Sequence, residues 1–147
     1  MLVEKLNIED QVQWQELYRG YADFYKMPMN EDILSQVWGW IFDEEMEFYA
    51  LSAKTQDGTM VGFMHYRQMP SPLRGILVGF LDDLYVSPDN RGSGAVQSLF
   101  KALNEDAKKN NWQYVRWITA TDNSRARAVY DKISDTIDFV TYQMPAR

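Results

Sequence analysis

Three short segments carry residue types that could do chemistry. The first, YVSPDNRGSGAVQSLFKAL at 85–103, runs from a strand ending through Pro88 and Arg91 past two close glycines, Gly92 and Gly94, into helical spacing. Free amide donors at a helix start, the positive end of the helix dipole and glycines that admit close backbone approach make this a candidate anion cradle. It matches neither the G-x-G-x-x-G fingerprint nor a Walker loop. On local grounds a plain Gly-rich turn stands equally open.

The second segment is LDDLY at 81–85, where Asp82 and Asp83 interrupt an apolar strand. Neighbouring side chains of a regular strand point to opposite faces, so one carboxylate should meet the buried side unless a bulge or cleft intervenes. Burial raises a carboxyl pKa and can make a general base, while a cationic ligand would keep the group ionised. The alternative is that one Asp caps a loop and the other faces water. The third segment, TDNSRARAVYDK at 121–132, sets Tyr130 on a helical face with Ala126, Val129 and Ile133, where core packing is the simpler reading.

His65, the single histidine, has no partner at triad or metal spacing and reads as a structural or cleft-lining residue. The aromatic residues of the first two helical segments read as core and dimer contacts, with an aromatic amine pocket as the alternative. No metal site is expected, and the absence of cysteine excludes a thiolate site, a disulfide scaffold and a cysteine nucleophile.

The elements that must position these residues follow from periodicity. A strand at 2–6 precedes a helix capped by Asn7, and a second helix is capped by Asn30. Two apolar runs between 47 and 67 flank Asp57-Gly58, a tight-hairpin dipeptide. The stretch 68–75, with two prolines, reads as a loop before a long strand at 76–86. A helix with Val96, Leu99, Phe100, Leu103 and Ala107 on one face follows the glycines and ends at Asn110-Asn111. A strand at 112–121, a helix capped by Asp122 or Asn123, and a last strand at 137–142 complete the order β-α-α-β-β-β-α-β-α-β. This predicts an α/β (α+β) fold with a mixed sheet and helices on both faces.

With 147 residues, the chain is expected to form one compact domain, residues 1–147. A net charge of −6 argues against general nucleic-acid affinity, and no stretch approaches the roughly 20 apolar residues that span a bilayer. The N-terminal residues show no basic-then-apolar leader, so a cytoplasmic location is the expectation.

Taken together and in order, the three segments resemble the GNAT superfamily of acetyl-CoA-dependent N-acetyltransferases. The carriers are Val86-Ser87-Pro88 at a strand end, Arg91-Gly92-Ser93-Gly94-Ala95-Val96 as the coenzyme loop, and Asn123…Tyr130 on a later helix. LDDLYV, RARAVYDK and the DFV-Y ending are similar to the subgroup of the yeast histone and polyamine acetyltransferase and its bacterial relatives, which implies a mostly antiparallel sheet, amine substrates and a homodimer.

The resemblance implies acetyl-CoA as cosubstrate. Its pyrophosphate would accept from the amides of Gly92, Ser93, Gly94, Ala95 and Val96, beside Arg91. The pantetheine arm would pair with backbone at Leu84 and Val86, past Tyr85, with Asn123 holding it from the other side. Asp82 is then the first choice of base and Asp83 the second, or a clamp for a distal ammonium, while Tyr130 would be the acid that protonates the thiolate. Acetyl transfer to a small amine such as a polyamine is the leading expectation. The alternatives are a protein lysine or N-terminal amine as acceptor, or an acyl-CoA-binding domain without turnover. Val96 departs from the Gly or Ala of the family loop; its side chain either crowds the phosphates or turns into the core.

Overall fold

The computed structural model describes residues 1–146. The chain divides into two compact units, one of Met1–Trp117 and a second running on from Ile118.

In the first unit, apolar alternation builds β1 (Leu2–Lys5), β2 (Phe48–Lys54), β3 (Met60–Ser71), β4 (Ile76–Val86) and the two-residue β5 (Val115–Arg116). They form one sheet in the order β1-β2-β3-β4-β5. The first four pair antiparallel, and β5 joins β4 in parallel. Gly58 turns the hairpin between β2 and β3 with a φ of 86°, as the Asp57-Gly58 dipeptide predicts.

Three helices cover the sheet: α1 (Gln11–Phe24), α2 (Glu31–Phe42) and α3 (Ala95–Lys109). Asn7 and Asp10 form a reciprocal capping box on the short turn that leads into α1, and Asn30 caps α2 through Ile33 N–H. The period-2 pattern of the strands sorts the core into two layers. Leu51, Met64, Tyr66 and Leu81 face α3 and meet Leu99 and Leu103. Ala50 and Phe63 face the other way and meet Trp14 of α1 and Leu34 of α2. On the α3 side, Tyr66 Oη donates to Asp106 at 2.6 Å and Lys5 Nζ donates to both, tying β1, β3 and α3 together.

Three expectations change. The prolines at 68–75 do not end the strand: β3 continues to Ser71, and the turn is confined to the four residues before Ile76. The strand expected at 112–121 shrinks to Val115–Arg116, because only Gly79 and Phe80 of β4 offer it a ladder. The segment 137–142 forms no strand. An alternating pattern supplies the side chains of a strand but not the neighbouring edge its peptide groups need. The second unit holds one helix, α4 (Ser124–Ile133). Among the described residues no helix is long and apolar enough to cross a membrane.

Gly79 matters to this packing. A Cβ there would lie 2.6 Å from the Trp112 indole and 3.0 Å from Val115, and that indole is buried, with its N–H donating to Gln68 at 2.8 Å. Gly79→Ala is therefore expected to destabilise the chain by about 1–3 kcal/mol through overpacking, read as a lowered urea midpoint with an unchanged m-value.

Candidate active site

The register between β3 and β4 slips at the acidic pair. His65 pairs with Asp83, but the next residue, Tyr66, pairs with Leu81. Asp82 is thus the extra residue of a β-bulge. The insertion reverses the parity of β4: Leu81 faces α3, whereas Asp83 and Tyr85, also odd-numbered, lie on the α1 side. The bulge answers the strand problem posed by two adjacent carboxylates, since neither is driven into the α3 core.

Asp83 sits in a donor-rich pocket. Its Oδ2 accepts from Tyr18 Oη at 2.9 Å and lies 2.8 Å from His65 Nδ1, and Tyr21 of the same helix adds a hydrogen bond. Burial pushes the carboxyl pKa up, but the hydrogen bond and the charge interaction from His65, followed by the hydroxyls of Tyr21 and Tyr18, outweigh it and hold the group below its ordinary value. Burial and the Asp83 charge drive both tyrosine hydroxyls well above their ordinary value, so they stay protonated as donors.

Asp82 differs. Burial raises its pKa, the Arg67 guanidinium opposes that, and the neighbouring Asp83 charge pushes it further up, for a net rise. Arg67 Nε lies 3.1 Å from Asp82 Oδ2, with its guanidinium 4.8 Å from the Phe80 ring centroid. The pKa values of the two adjacent carboxylates are therefore shifted in opposite directions.

The sequence reading had no partner for His65. The structure supplies two, Asp83 and Trp14, whose indole N–H donates to His65 Nε2 at 2.9 Å. Tyr18, Tyr21 and Trp14 read from sequence as core and dimer contacts. Their signal was the spacing 14, 18, 21 on one face of α1, with a histidine of matching parity on β3; what they approach required the register of β4.

Past Phe80 the outer edge of β4 has no ladder partner among the described strands. Ser87 N–H donates to Val61 C=O at 2.8 Å, and antiparallel ladders alternate bonded and non-bonded pairs. The peptide groups of Leu84 and Val86 therefore turn away from β3 onto that open edge.

Beyond Val86 a short turn, Pro88–Asn90, leads into the glycine loop. Gly92 and Gly94 have φ of 81° and 88°, left-handed values that a side chain would strain, although a Cβ at either would meet only open space. Gly94 is the N-cap of α3 and provides no side-chain cap. The first turn closes with Ser98 N–H on Gly94 C=O, so the N–H groups of Ala95, Val96 and Gln97 are the donors a helix start leaves without intrahelical acceptors. Arg91 and Ser93 are exposed beside them. Such an uncapped start flanked by a cation and free of acidic residues fits a pyrophosphate. The Val96 side chain packs against the α3 core rather than standing over the loop.

In the second unit, Asn123 is the N-cap of α4, its Oδ1 accepting from Ala126 N–H at 3.4 Å. Tyr130 is half-buried on the same helix, and its carbonyl accepts from Ser134 N–H at 2.9 Å. Asp82, Asp83, Leu84, Tyr85, Val86 and the loop residues 91–96 belong to the first unit.

The sequence model described as the Acetyltransferase (GNAT) family matches residues 13–134. The D-amino-acid N-acetyltransferase HPA3 of Saccharomyces cerevisiae (strain ATCC 204508 / S288c) is 26% identical over 144 residues, 97% of this chain and 89% of that protein. Among solved structures, a ribosomal-protein-alanine N-acetyltransferase from Brucella melitensis biovar Abortus 2308 superposes with a TM-score of 0.81 at 24% identity, covering 99% of this chain and 100% of that one. The aminoglycoside 6'-N-acetyltransferase AAC(6')-Ih from Acinetobacter baumannii gives 0.80 at 18% identity, covering 99% of each chain. At these identities the solved structures show a shared fold.

Because Val96 contributes to the core and only its amide to the loop, Val96→Gly is expected to destabilise α3 by about 2 kcal/mol through lost burial and glycine's helix penalty. Calorimetric affinity for coenzyme A should stay within about twofold, since an amide donor remains at that position; a large gain would show that the valine crowds the ligand.

Proposed function

The chain belongs to the GNAT acetyltransferase family and is an acetyl-CoA-dependent N-acetyltransferase, and from that premise we propose that it acetylates a small primary amine bound at Asp82 and Asp83. The single observation carrying this reading is the β-bulge that sets Asp83 among Tyr18 and His65 and leaves Asp82 beside Arg67. An alkylamine with pKa of about 10 arrives protonated at neutral pH. Asp83, held ionised by its donors, serves as the anion that attracts an ammonium. Asp82, with its raised pKa, is suited to take the proton the amine must lose, directly or through one water.

Acetyl-CoA supplies the acetyl group as a thioester. The amine nitrogen bonds to the acetyl carbon, and the carbon–sulfur bond breaks. Support for the coenzyme's placement comes from the uncapped start of α3, the left-handed glycines and the outward peptide groups of Leu84 and Val86. The family motif gives Asn123 a hold on the pantetheine arm. It gives Tyr130 the return of a proton to the thiolate, for which a hydroxyl of pKa about 10 is a fitting donor.

For the acceptor itself, the acidic pair favours a polyamine. A second reading, an amino acid, is favoured by Arg67: its guanidinium beside Asp82 places a cation next to the ammonium site, where a carboxylate could be recognised. The yeast relative's activity on D-amino acids supports that reading.

The test is release of coenzyme thiol from acetyl-CoA against polyamines, D- and L-amino acids, aminoglycosides and basic peptides. Asp82→Asn is expected to lower kcat by about 10²–10⁴, as is Tyr130→Phe. In the wild type, kcat should fall on acidification along a limb above the ordinary carboxylate range, where Asp82 gains its proton and ceases to be a base; Asp82→Asn should lose that limb. Full rate in Tyr130→Phe would reject the proton donor, and no release with any amine would reject the acceptor assignment.

A further inference from the structure

We propose that Trp14 and His65 form a positioning relay that holds Asp83 in a single orientation toward the acceptor's ammonium group, an inference that rests on the acceptor site proposed above. The argument begins with donor and acceptor chemistry. An indole N–H can only donate, and the Trp14 indole lies 2.9 Å from His65 Nε2. Nε2 must therefore present its lone pair. The ring proton is thereby assigned to Nδ1, which donates to Asp83 Oδ2 at 2.8 Å.

The other forms of the ring are disfavoured. The reversed tautomer would set two N–H groups against each other at Nε2 and a lone pair against the carboxylate at Nδ1. The imidazolium would keep the first of these clashes. Relaxation is blocked because Trp14 and His65 are both fully buried. The imidazole is further enclosed by Phe63 and Phe48, with ring centroids at 4.7 and 5.6 Å, and Trp38 packs on Trp14 at 5.1 Å.

The consequence is a division of roles. With its proton on Nδ1, His65 gives Asp83 a hydrogen bond, and the hydroxyl of Tyr18 does the same from α1. Asp82, by contrast, is paired with Arg67. Asp83 is thus the member of the acidic pair that has no guanidinium partner. Its side chain retains 19% of its exposure, which leaves an approach for a substrate. The titratable and charged groups facing this cluster are Asp82 and Asp83 from β4, Arg67 from β3, and Tyr18 and Tyr21 from α1. His65 acts through Asp83 and is a positioning residue.

The test uses the single histidine of the chain as a clean reporter. Nitrogen-15 NMR of the wild type should show the Nδ1–H tautomer at neutral pH; an Nε2–H tautomer or an imidazolium overturns the relay. In kinetics, His65→Phe should raise the KM for the amine about tenfold or more, the scale of one lost hydrogen bond to a charged group. Coenzyme affinity should stay within about twofold, and His65→Gln, which keeps a donor and an acceptor, should restore most of the loss. An unchanged amine KM in a folded His65→Phe overturns the proposal, as does an equal loss of coenzyme and amine affinity. Carbon-13 titration of Asp83 needs no turnover: its midpoint should rise in His65→Phe, and an unmoved midpoint counts against the relay. If the wild type acetylates none of the amines, the acceptor assignment fails, while the tautomer and the Asp83 titration still decide the relay.

Discussion

The insertion of Asp82 between the paired residues Leu81 and Asp83 changes which way β4 faces. Upstream, odd-numbered residues such as Leu81 close the α3 core; downstream, they face α1, and Asp83 arrives opposite His65. Were Asp82 instead paired as an ordinary strand residue, everything beyond it would exchange faces, placing Leu84 among the aromatic residues of α1 and the Asp83 carboxylate against the α3 core. A bulge also bends and twists its strand. It lies just beyond the last pairing of β4 with β5, where the outer edge of β4 becomes open. Side-chain placement and the open backbone edge thus meet at a single inserted residue.

Electrostatics at the bulge depend on who the neighbours are. Both carboxylates lose solvent, and for both that loss is the largest influence on pKa. Donors decide the difference: Asp83 gains hydrogen bonds from His65, Tyr18 and Tyr21, while Asp82 has one guanidinium partner and a carboxylate next door. A buried hydrogen-bond network of this kind is stable only when its members are satisfied, and no fully buried side-chain polar atom among the described residues lacks a partner. Tight aromatic packing around His65 and Trp14 supplies the rigidity that a single orientation of Asp83 requires.

The scaffold on the other side of the sheet makes the loop credible as a binding element. Leu99 and Leu103 anchor α3, so its N-terminus is held at the end of β4 with its first amide donors outward. Val96 belongs to that anchor. Its side chain packs with the core while its amide lies at the helix start.

Much of this was legible in the amino-acid sequence. Periodicity located the four helices and the long strands, Asp57-Gly58 marked its hairpin, Asn30 marked its helix cap and the pair Asp122-Asn123 narrowed another to two residues, because these depend on neighbours a few residues apart. The glycine loop and the acidic strand announced themselves by composition, and together with Asn123 and Tyr130 they pointed to the family. Strand contacts were less readable: the expected strand at 112–121 kept two residues and that at 137–142 none, since pairing is set by a distant edge. The union of Trp14, His65 and Asp83 lay beyond the sequence for the same reason. These residues are far apart in the chain, and only the register of β4, displaced by one bulged residue, decided that Asp83 rather than Asp82 would face the histidine.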